Sequence, residues 1–459
     1  MRNAILASLL LFTVGCGTDA VPGGSDPPPI PRATWYQDVA PIVANRCMSC
    51  HQEGGIAPFS LTEYEEVVPI AAMVKNAIDT GIMPPFSADS TDDCAPTHGW
   101  KNDPRLTDAE KTTIAHWIED GLAAGEAAAV TIAPVADLAN KTHSLTPQPY
   151  VTQGVNDEFV CFLLDPEIAQ DSWLMGWHVR PGNPTVVHHA VLSSLPATFM
   201  TIAKTQVGVG NSFPCSAAAG VQGSVIVGAW APGGQPFDSG DIGIKLGAGE
   251  GLIMQIHYHP GGTVAEPDAT TVDLRMSATA PVAEYSLRGF GNVHGAPGLQ
   301  PGPYDPPEGP KFEIPPGVAD GLEVMHQTVP LVATEIKVLT AFPHMHYVGV
   351  GLSAWVHRAR PQSGEPQKEC LINVNRWNFD WQRQYSIDAP DIASLPSIRP
   401  GDRVELRCKY DNTLDNPFVQ RALADQGLAA PITVNLGEET TDEMCISLFA
   451  AVDMGGPRN

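Results

Sequence analysis

One pentapeptide, Cys-Met-Ser-Cys-His at positions 47–51, constrains this 459-residue chain more than any other feature. The spacing C-x-x-C-H is that of covalent c-type haem attachment, in which two thiols add to the haem vinyl groups and the adjacent histidine binds the iron. A structural zinc half-site or a disulfide is the alternative, but zinc needs a second ligand pair nearby, and only an isolated cysteine and histidine follow. The motif therefore predicts one c-type haem, attached at Cys47 and Cys50, with His51 on the iron.

The sequence around this motif, residues 35–127, has the pattern of a small helical domain. Met83 lies in the run G-I-M-P-P, where the prolines favour a rigid loop over a helix interior, although a methionine that only fills the core is the alternative. Thr107 and Glu110 form a capping box that begins an amphipathic helix. These features resemble small class I cytochromes c. The resemblance implies an all-α haem domain with Met83 as the second axial ligand of the iron.

The first sixteen residues predict an export signal. Arg2 supplies a positive charge, and the apolar run over 4–14 is too short to span a bilayer. Gly15-Cys16 has the shape of a lipoprotein processing site, but Thr13 stands where that pattern usually has Leu. Lipidation of Cys16 and plain signal cleavage are the two alternatives. Either alternative places the mature protein in the periplasm or at the cell surface. Membrane attachment is expected only through a lipid anchor on Cys16.

The remaining cysteines agree with export. An even number in an exported protein predicts disulfides, and six cysteines allow fifteen pairings that spacing alone does not separate. The six are Cys94, Cys161, Cys215, Cys370, Cys408 and Cys445.

Charge excludes one class of partner. The chain has 26 basic and 51 acidic residues, a formal net charge of -25. This field repels phosphate backbones, so nucleic acid is not an expected partner.

After the helical segment the pattern becomes that of β structure. Short alternating apolar runs, separated by many of the 43 glycines and 43 prolines, predict strands with one buried face. A stretch dense in Pro and Gly near residue 310 separates two strand-rich halves. The predicted organisation after the signal is a linker, the haem domain, a second linker and two all-β domains, at residues 17–34, 35–127, 128–147, 148–310 and 311–455.

Five histidines and one methionine in the β region have contexts compatible with metal binding: His188, His189, His257, His344, His346 and Met444. Residues two apart on a strand share a face, so His344 and His346 can bind one ion. Adjacent His188 and His189 diverge on a regular strand, so a shared ion requires a bulge or a strand end there. Imidazole suits copper, zinc or iron, and a thioether favours Cu(I). For any one of these histidines alone, a buried polar or surface role is the alternative.

Residues 150–455 resemble the copper type II, ascorbate-dependent monooxygenases, whose best-known members are the peptidylglycine and dopamine hydroxylases. The resemblance rests on the H-H pair, W-A-P-G at 230–233, H-Y after a strand, H-x-H and D-E-M-C. It implies two jelly-roll-like sandwiches that each bind one copper and face each other across a cleft. It also implies a disulfide between Cys408 and Cys445.

The resemblance assigns the two ligand sets. The copper that supplies electrons is held by His188, His189 and His257. The copper that binds and activates dioxygen is held by His344, His346 and Met444, which are thereby the catalytic residues.

Three positions depart from the peptide-amidating members of this family. Phe342, Ile446 and Leu448 stand where those enzymes hold the peptide carboxylate with Arg, Asn and Tyr. Without a cation or donors to offset desolvation, a free carboxylate binds poorly, so a neutral or aromatic small-molecule substrate is expected.

The combined hypothesis is an exported oxygenase that hydroxylates a C–H bond with dioxygen. Its electrons come from the fused haem domain, which is supplied by a redox protein, or from ascorbate. Two alternatives remain: a surface electron-transfer or copper-binding protein without turnover, and a ligand sensor.

Overall fold

The computed structural model describes residues 32–132, 135–153, 157–215, 223–259, 267–292 and 295–454. The predicted export signal, including Cys16, lies outside these residues. No helix in the described ranges is both long enough and apolar enough to span a membrane.

Short helices account for most of the regular structure before residue 123. They are α1 (Ala40–Arg46), α2 (Tyr64–Val67), α3 (Ala71–Asp79) and α4 (Asp108–Glu119), with a π-helical turn at Trp35–Val39 and a 3-10 turn at Val68–Ile70. The predicted capping box begins α4: the Glu110 N–H donates to Thr107 Oγ1 at 3.2 Å, and the Thr107 N–H donates to the Glu110 carboxylate at 2.7 Å. Trp35 and Trp117, with ring centroids 5.5 Å apart, lie in the core of these helices.

The rest of the described chain is mainly β. The strands before residue 270 are β1 (Gly99–Trp100), β2 (His143–Leu145), β3 (Tyr150–Val151), β4 (Glu158–Leu164), β5 (Ser172–Arg180), β6 (Val187–Leu195), β7 (Ser212–Pro214), β8 (Val225–Trp230), β9 (Phe237–Asp238), β10 (Ile242–Leu246), β11 (Gly251–Tyr258) and β12 (Pro267–Asp268). Those after it are β13 (Thr271–Ser277), β14 (Ala283–Gly291), β15 (Glu313–Ile314), β16 (Gly321–Thr328), β17 (Ile336–His344), β18 (Gly349–His357), β19 (Lys368–Val374), β20 (Tyr385–Asp388), β21 (Ser397–Ile398), β22 (Arg403–Tyr410), β23 (Val434–Asn435) and β24 (Ile446–Asp453). Helices α5 (Ala197–Gln206) and α6 (Pro417–Gln426) and a 3-10 turn at Phe379–Trp381 lie between strands.

These strands form two β-sandwiches, as the alternating pattern predicts. The first sandwich has the sheets β7-β4-β11-β6-β8 and β10-β5-β13-β2. The second has β16-β22-β18-β19 and β14-β24-β17-β20. A two-residue parallel pairing of β10 with β14 joins one sheet of each sandwich edge to edge. Inward side chains of all these sheets form one continuous apolar core.

The junction between the sandwiches lies earlier than the Pro- and Gly-rich stretch near residue 310 suggests. Strand β14 pairs with β24 over seven residues, so the second sandwich begins at Ala283. The stretch near 310 is instead a loop within that sandwich. Just before it, the Gln300 N–H donates to the Val324 carbonyl oxygen, and the His326 N–H donates to the Gly298 carbonyl oxygen. The predicted linker 128–147 also ends early, since β2 pairs with β13 of the first sandwich.

The helical segment is not a separate all-α unit. Strand β1 pairs with β20 of the second sandwich, and Cys94 forms a disulfide with Cys370 there. The Asp89 carboxylate accepts from the Arg376 guanidinium at 2.9 Å, and Phe86 is buried in the sandwich core. These contacts fix the segment between α3 and α4 against the second sandwich.

All six predicted structural cysteines form disulfides. The pairs are Cys94–Cys370, Cys161–Cys215 and Cys408–Cys445, the last as the family resemblance implies. Three disulfides are consistent with an exported protein.

Candidate metal centres

His188 and His189 lie at a β-bulge in β6. His257 of β11 pairs with His189, but the next residue, Tyr258, pairs with Val187, so His188 has no partner across the strand. An extra residue of this kind turns its side chain away from the regular alternation. The bulge that the sequence requires for these adjacent histidines to share an ion is therefore present.

Three imidazole nitrogens meet at this bulge. His189 Nδ1 lies 3.1 Å from His188 Nδ1 and 3.3 Å from His257 Nδ1, and the three side chains form a metal-compatible group. Nitrogens bound to one ion at about 2.0–2.1 Å lie roughly this far apart. Three neutral rings that turn the same nitrogen inward cannot all be satisfied by hydrogen bonds to one another, whereas an ion accepts an electron pair from each.

Groups around the site hold the rings in this orientation. His257 Nε2 lies 2.9 Å from an Asp157 carboxylate oxygen, which leaves Nδ1 free to bind an ion. Phe159 stacks on the His257 ring with centroids 4.4 Å apart. Burial lowers the pKa of His188 to about 3 and that of His257 to about 4, so both rings are neutral at pH 7, as a ligand must be.

A second pair of nitrogens meets at the end of β17. His344 Nε2 and His346 Nε2 lie 3.2 Å apart. The opposite nitrogens are occupied, because His344 Nδ1 lies 2.8 Å from Gln382 Oε1 and His346 Nδ1 lies 3.2 Å from the Asp442 carbonyl oxygen. Burial lowers the pKa of both rings, that of His346 to about 3. Both Nε2 atoms are thereby available to one ion.

Met444 lies two residues before β24, the strand that pairs with His344. The backbone N–H groups of His346 and Met444 both donate to one oxygen of the buried Glu443 carboxylate, at 2.6 and 2.8 Å. Burial raises the pKa of Glu443 to about 8. His344 pairs with Ile446 across the two strands, and Met444 is two residues before Ile446 in the chain. The Met444 side chain is half-buried.

The two histidine groups face each other across the contact between the sandwiches. Phe342, two residues before His344, packs with Val191, two residues after His189, and strand alternation places each of them on the same face as its histidine. His344 contributes, after burial and two nearer histidines, to holding the pKa of His189 well below its usual value. The Arg421 guanidinium of α6 bridges the contact by binding Asp157.

The apolar residues at this contact include two of the three positions that depart from the peptide-amidating pattern. Phe342 is in a cluster with Val191 and Ala229, against which Ile226 and Leu448 pack. These residues give this part of the contact an apolar surface.

The C-x-x-C-H motif lies in the turn after α1. Cys47 and Cys50 are the free cysteines in the described part of the chain. Burial raises the pKa of the Cys47 thiol to about 12 and raises that of Cys50. His51 is buried, and its Nδ1 lies 3.1 Å from the Phe59 carbonyl oxygen, which leaves Nε2 for an iron. These residues suit haem attachment.

Met83 lies in the turn after α3. Its N–H donates to the Ala77 carbonyl oxygen at 3.0 Å, and its side chain is half-buried. Its role as an iron ligand stays a prediction.

Several residues that orient the candidate ligands carry no signal in the sequence. Asp157 and Gln382 hold histidine rings, and Trp381 lies 6.2 Å from His188, centroid to centroid. They are far along the chain from the histidines that they serve, and no spacing rule connects them.

No protein-family model and no curated protein matches the chain. Among solved structures, it is similar to the crystal structure of the major capsid protein P2 from Bacteriophage PM2. The likeness covers 58% of this chain and 96% of that chain at 8% sequence identity, with a TM-score of 0.20, and carries no argument.

Proposed function

We propose that this chain is an exported, copper-dependent monooxygenase that hydroxylates a C–H bond of a small molecule. The observation that carries the proposal is the convergence of two sets of imidazole nitrogens. Three Nδ1 atoms meet at the bulge at His188, and two Nε2 atoms meet at His344 and His346. In each set the nitrogen on the far side of a ring is engaged by a hydrogen-bond acceptor, as it is in metal-bound histidines.

Copper is favoured over zinc because the two sites differ. The ligands proposed for the second site include the thioether of Met444, and thioether sulfur suits Cu(I). When bound, copper supplies the electrons with which dioxygen is reduced, one oxygen atom entering the substrate and the other leaving as water. The protein's part is to keep the proton of the His257 and His344 imidazoles on the far nitrogen, through Asp157 and Gln382, and to exclude bulk water by burial.

The substrate class follows from the surface between the sites. The side chains that meet at Phe342, Val191 and Ala229 are apolar, and none of these three offers a charge to a carboxylate. A neutral or aromatic substrate loses no hydration of a charged group on entering this surface, whereas a peptide carboxylate does. Peptide amidation is therefore not proposed.

We propose a covalently bound haem as a second cofactor, held by the helical segment. The thiols of Cys47 and Cys50 are unpaired while every other described cysteine is in a disulfide, and His51 keeps Nε2 free. A covalently bound haem at these residues would supply electrons one at a time from an external redox protein. Ascorbate is the alternative reductant, acting on the copper directly.

The alternatives predict different measurements on the mature full-length protein. Metal and haem analysis comes first, and the oxygenase proposal requires two copper ions and one haem per chain. A screen of neutral and aromatic compounds then follows, with oxygen uptake and mass spectrometry as readouts. A product heavier by one oxygen atom, formed with oxygen uptake, supports the enzyme. Loaded protein that takes up no oxygen with any of these compounds indicates electron transfer or sensing.

The haem is expected to survive denaturation. Thioether bonds to Cys47 and Cys50 do not depend on the fold, so protein made with haem-attachment machinery should keep a haem-stained band on a denaturing gel. The Cys47→Ala/Cys50→Ala variant, run beside it, should have no stained band. Loss of stain from the wild-type band would rule out covalent attachment.

Replacing Met83 by Ala is expected to lower the haem reduction potential and to change the reduced spectrum. A thioether ligand stabilises ferrous iron, so its loss favours the ferric state. Met73→Ala is the matched control, because Met73 is exposed on α3. A Met83→Ala spectrum and potential equal to those of the control would reject Met83 as the axial ligand.

A further inference from the structure

In one cavity outside the candidate copper sites, the charged residues of the described lining are all positive. It has a volume of about 80 Å³ and lies where the segment after α3, the loop after β8 and strand β20 meet. Arg383 and Lys101 line it, and none of its described lining residues is acidic. In a chain with 51 acidic and 26 basic residues, a cavity with two cations and no carboxylate is unexpected.

Arg383 has no partner for its charge in the described ranges. Its guanidinium makes no ion pair there, its Nε is buried without a hydrogen-bond partner, and its Cζ lies 5.8 Å from the centroid of the Phe86 ring. The neighbouring Asp103 carboxylate is bound by the Arg105 guanidinium. Burial lowers the pKa of Arg383. Arg383 is half-buried. A cation that is partly removed from water without a counter-charge is costly, so the site has the character of one that receives an anion.

This cavity adjoins the C-x-x-C-H motif. Trp230, Gly233 and Gly234 line it and also line a second cavity, of about 240 Å³, whose wall includes Cys50. A Cβ atom on Gly233 would lie 3.7 Å from Cys50 Sγ, so this loop touches the motif directly. Arg383 is close enough for its charge to act on Cys50.

We propose that Arg383 binds a carboxylate in this cavity, and that the carboxylate is a propionate of the haem attached at Cys50. The planar guanidinium matches a carboxylate with two parallel hydrogen bonds. Lys101, at the same cavity, adds a second positive charge. The inference rests on the proposed haem attachment for the source of the carboxylate, and a free small carboxylate is the other source.

Position in the chain gives this contact a structural role. Gln382, the residue before Arg383, holds the His344 ring, and Trp381 lies beside His188. One short segment thus lies beside both candidate copper sites and carries the cation whose charge acts on Cys50. Binding of a propionate by Arg383 fixes the haem against the same segment that orients the copper ligands.

The test compares full-length, haem-loaded Arg383→Gln and Arg383→Lys with wild type. Arg360→Gln is the matched control, since it removes the same charge from an exposed position in the second sandwich. We expect Arg383→Gln to lower the haem reduction potential, because an unpaired propionate stabilises ferric iron, and to lower the unfolding midpoint. Arg383→Lys should retain part of both, and the control should match wild type.

Acetate binding, measured by calorimetry on the same proteins, separates the two sources. If the propionate fills the cavity, wild type binds no acetate. Loss of one charge pair corresponds to a factor of about 30 or more in affinity. If wild type binds acetate more tightly than Arg383→Gln by this factor, and the haem reduction potentials of the two proteins are equal, the carboxylate is a free ligand. The propionate assignment is then wrong.

The whole inference is overturned if Arg383→Gln equals or exceeds wild type in stability, with an unchanged potential and no Arg383-dependent acetate binding. If Arg383→Gln does not fold, the inference is tested by the haem reduction potential and stability of Arg383→Lys and by the acetate titration of wild type. Protein that carries no haem refutes the proposed attachment alone, and its acetate titration still tests Arg383.

Discussion

Replacing Met444 by Ile is expected to abolish hydroxylation while the three-histidine site still binds copper. The substitution removes the thioether beside His344 and His346 and keeps an apolar side chain of similar volume. Loss of groups that only orient metal ligands lowers activity by about 10- to 100-fold, so loss of a ligand should cost about 100-fold or more. X-ray absorption of the reduced protein should lose its sulfur scatterer, and the Cu(II) resonance spectrum of the three-histidine site should persist.

The matched control is Met454→Ile, which removes a methionine exposed at the end of the second sandwich. It should keep turnover, both copper ions and the sulfur signal. Sulfur scattering that persists in Met444→Ile would exclude Met444 as the ligand. Loss of all copper from that variant would mean that the two sites do not bind independently.

Local chemistry in the sequence was enough to predict several parts of the fold. The capping box at Thr107 and Glu110 begins α4 because both partners lie within one helical turn. The need for a bulge at His188 follows from the two-residue period of a strand. Alternation and turn residues likewise predict the sandwiches. In each case the residues that decide the structure are close together in the chain.

Long-range pairings were beyond the reach of the same reasoning. Composition puts the boundary between the two β domains at the Pro- and Gly-rich stretch near residue 310. It does not reveal that β14 pairs with β24 across about 160 residues. The disulfide between Cys94 and Cys370 was one of fifteen possible pairings. Asp157 and Arg383 acquire their roles only from neighbours that the fold brings to them.

These pairings change how electron delivery by a haem domain is understood. A domain on a flexible linker raises the effective concentration of a donor but leaves its position open. Here β1, the Cys94–Cys370 disulfide and the Asp89–Arg376 ion pair hold the helical segment against the second sandwich. The loop after β8 lies next to Cys50, and Trp230, the last residue of β8, pairs with Ala190, the neighbour of His189. The C-x-x-C-H motif is thus fixed near the three-histidine site.

The Cys47→Ala/Cys50→Ala variant is therefore expected to lose turnover with a donor that reduces haem and to retain it with ascorbate. The strand pairing of β1, the Cys94–Cys370 disulfide and the Asp89–Arg376 ion pair do not involve these thiols, so the sandwiches should stay folded and copper-loaded. Ser49→Ala is the matched control, since it alters the same turn and keeps both thiols.

In stopped-flow experiments, the haem of wild type and of Ser49→Ala should be reoxidised when dioxygen and substrate are added. It should stay reduced in Met444→Ile, because the electrons have no acceptor when the oxygen site is impaired. Turnover at equal rates by wild type and the haem-free variant with every donor would show that the haem does not supply the copper. The fixed contact between the Cys50 turn and the loop after β8 would then serve only to hold the helices in place.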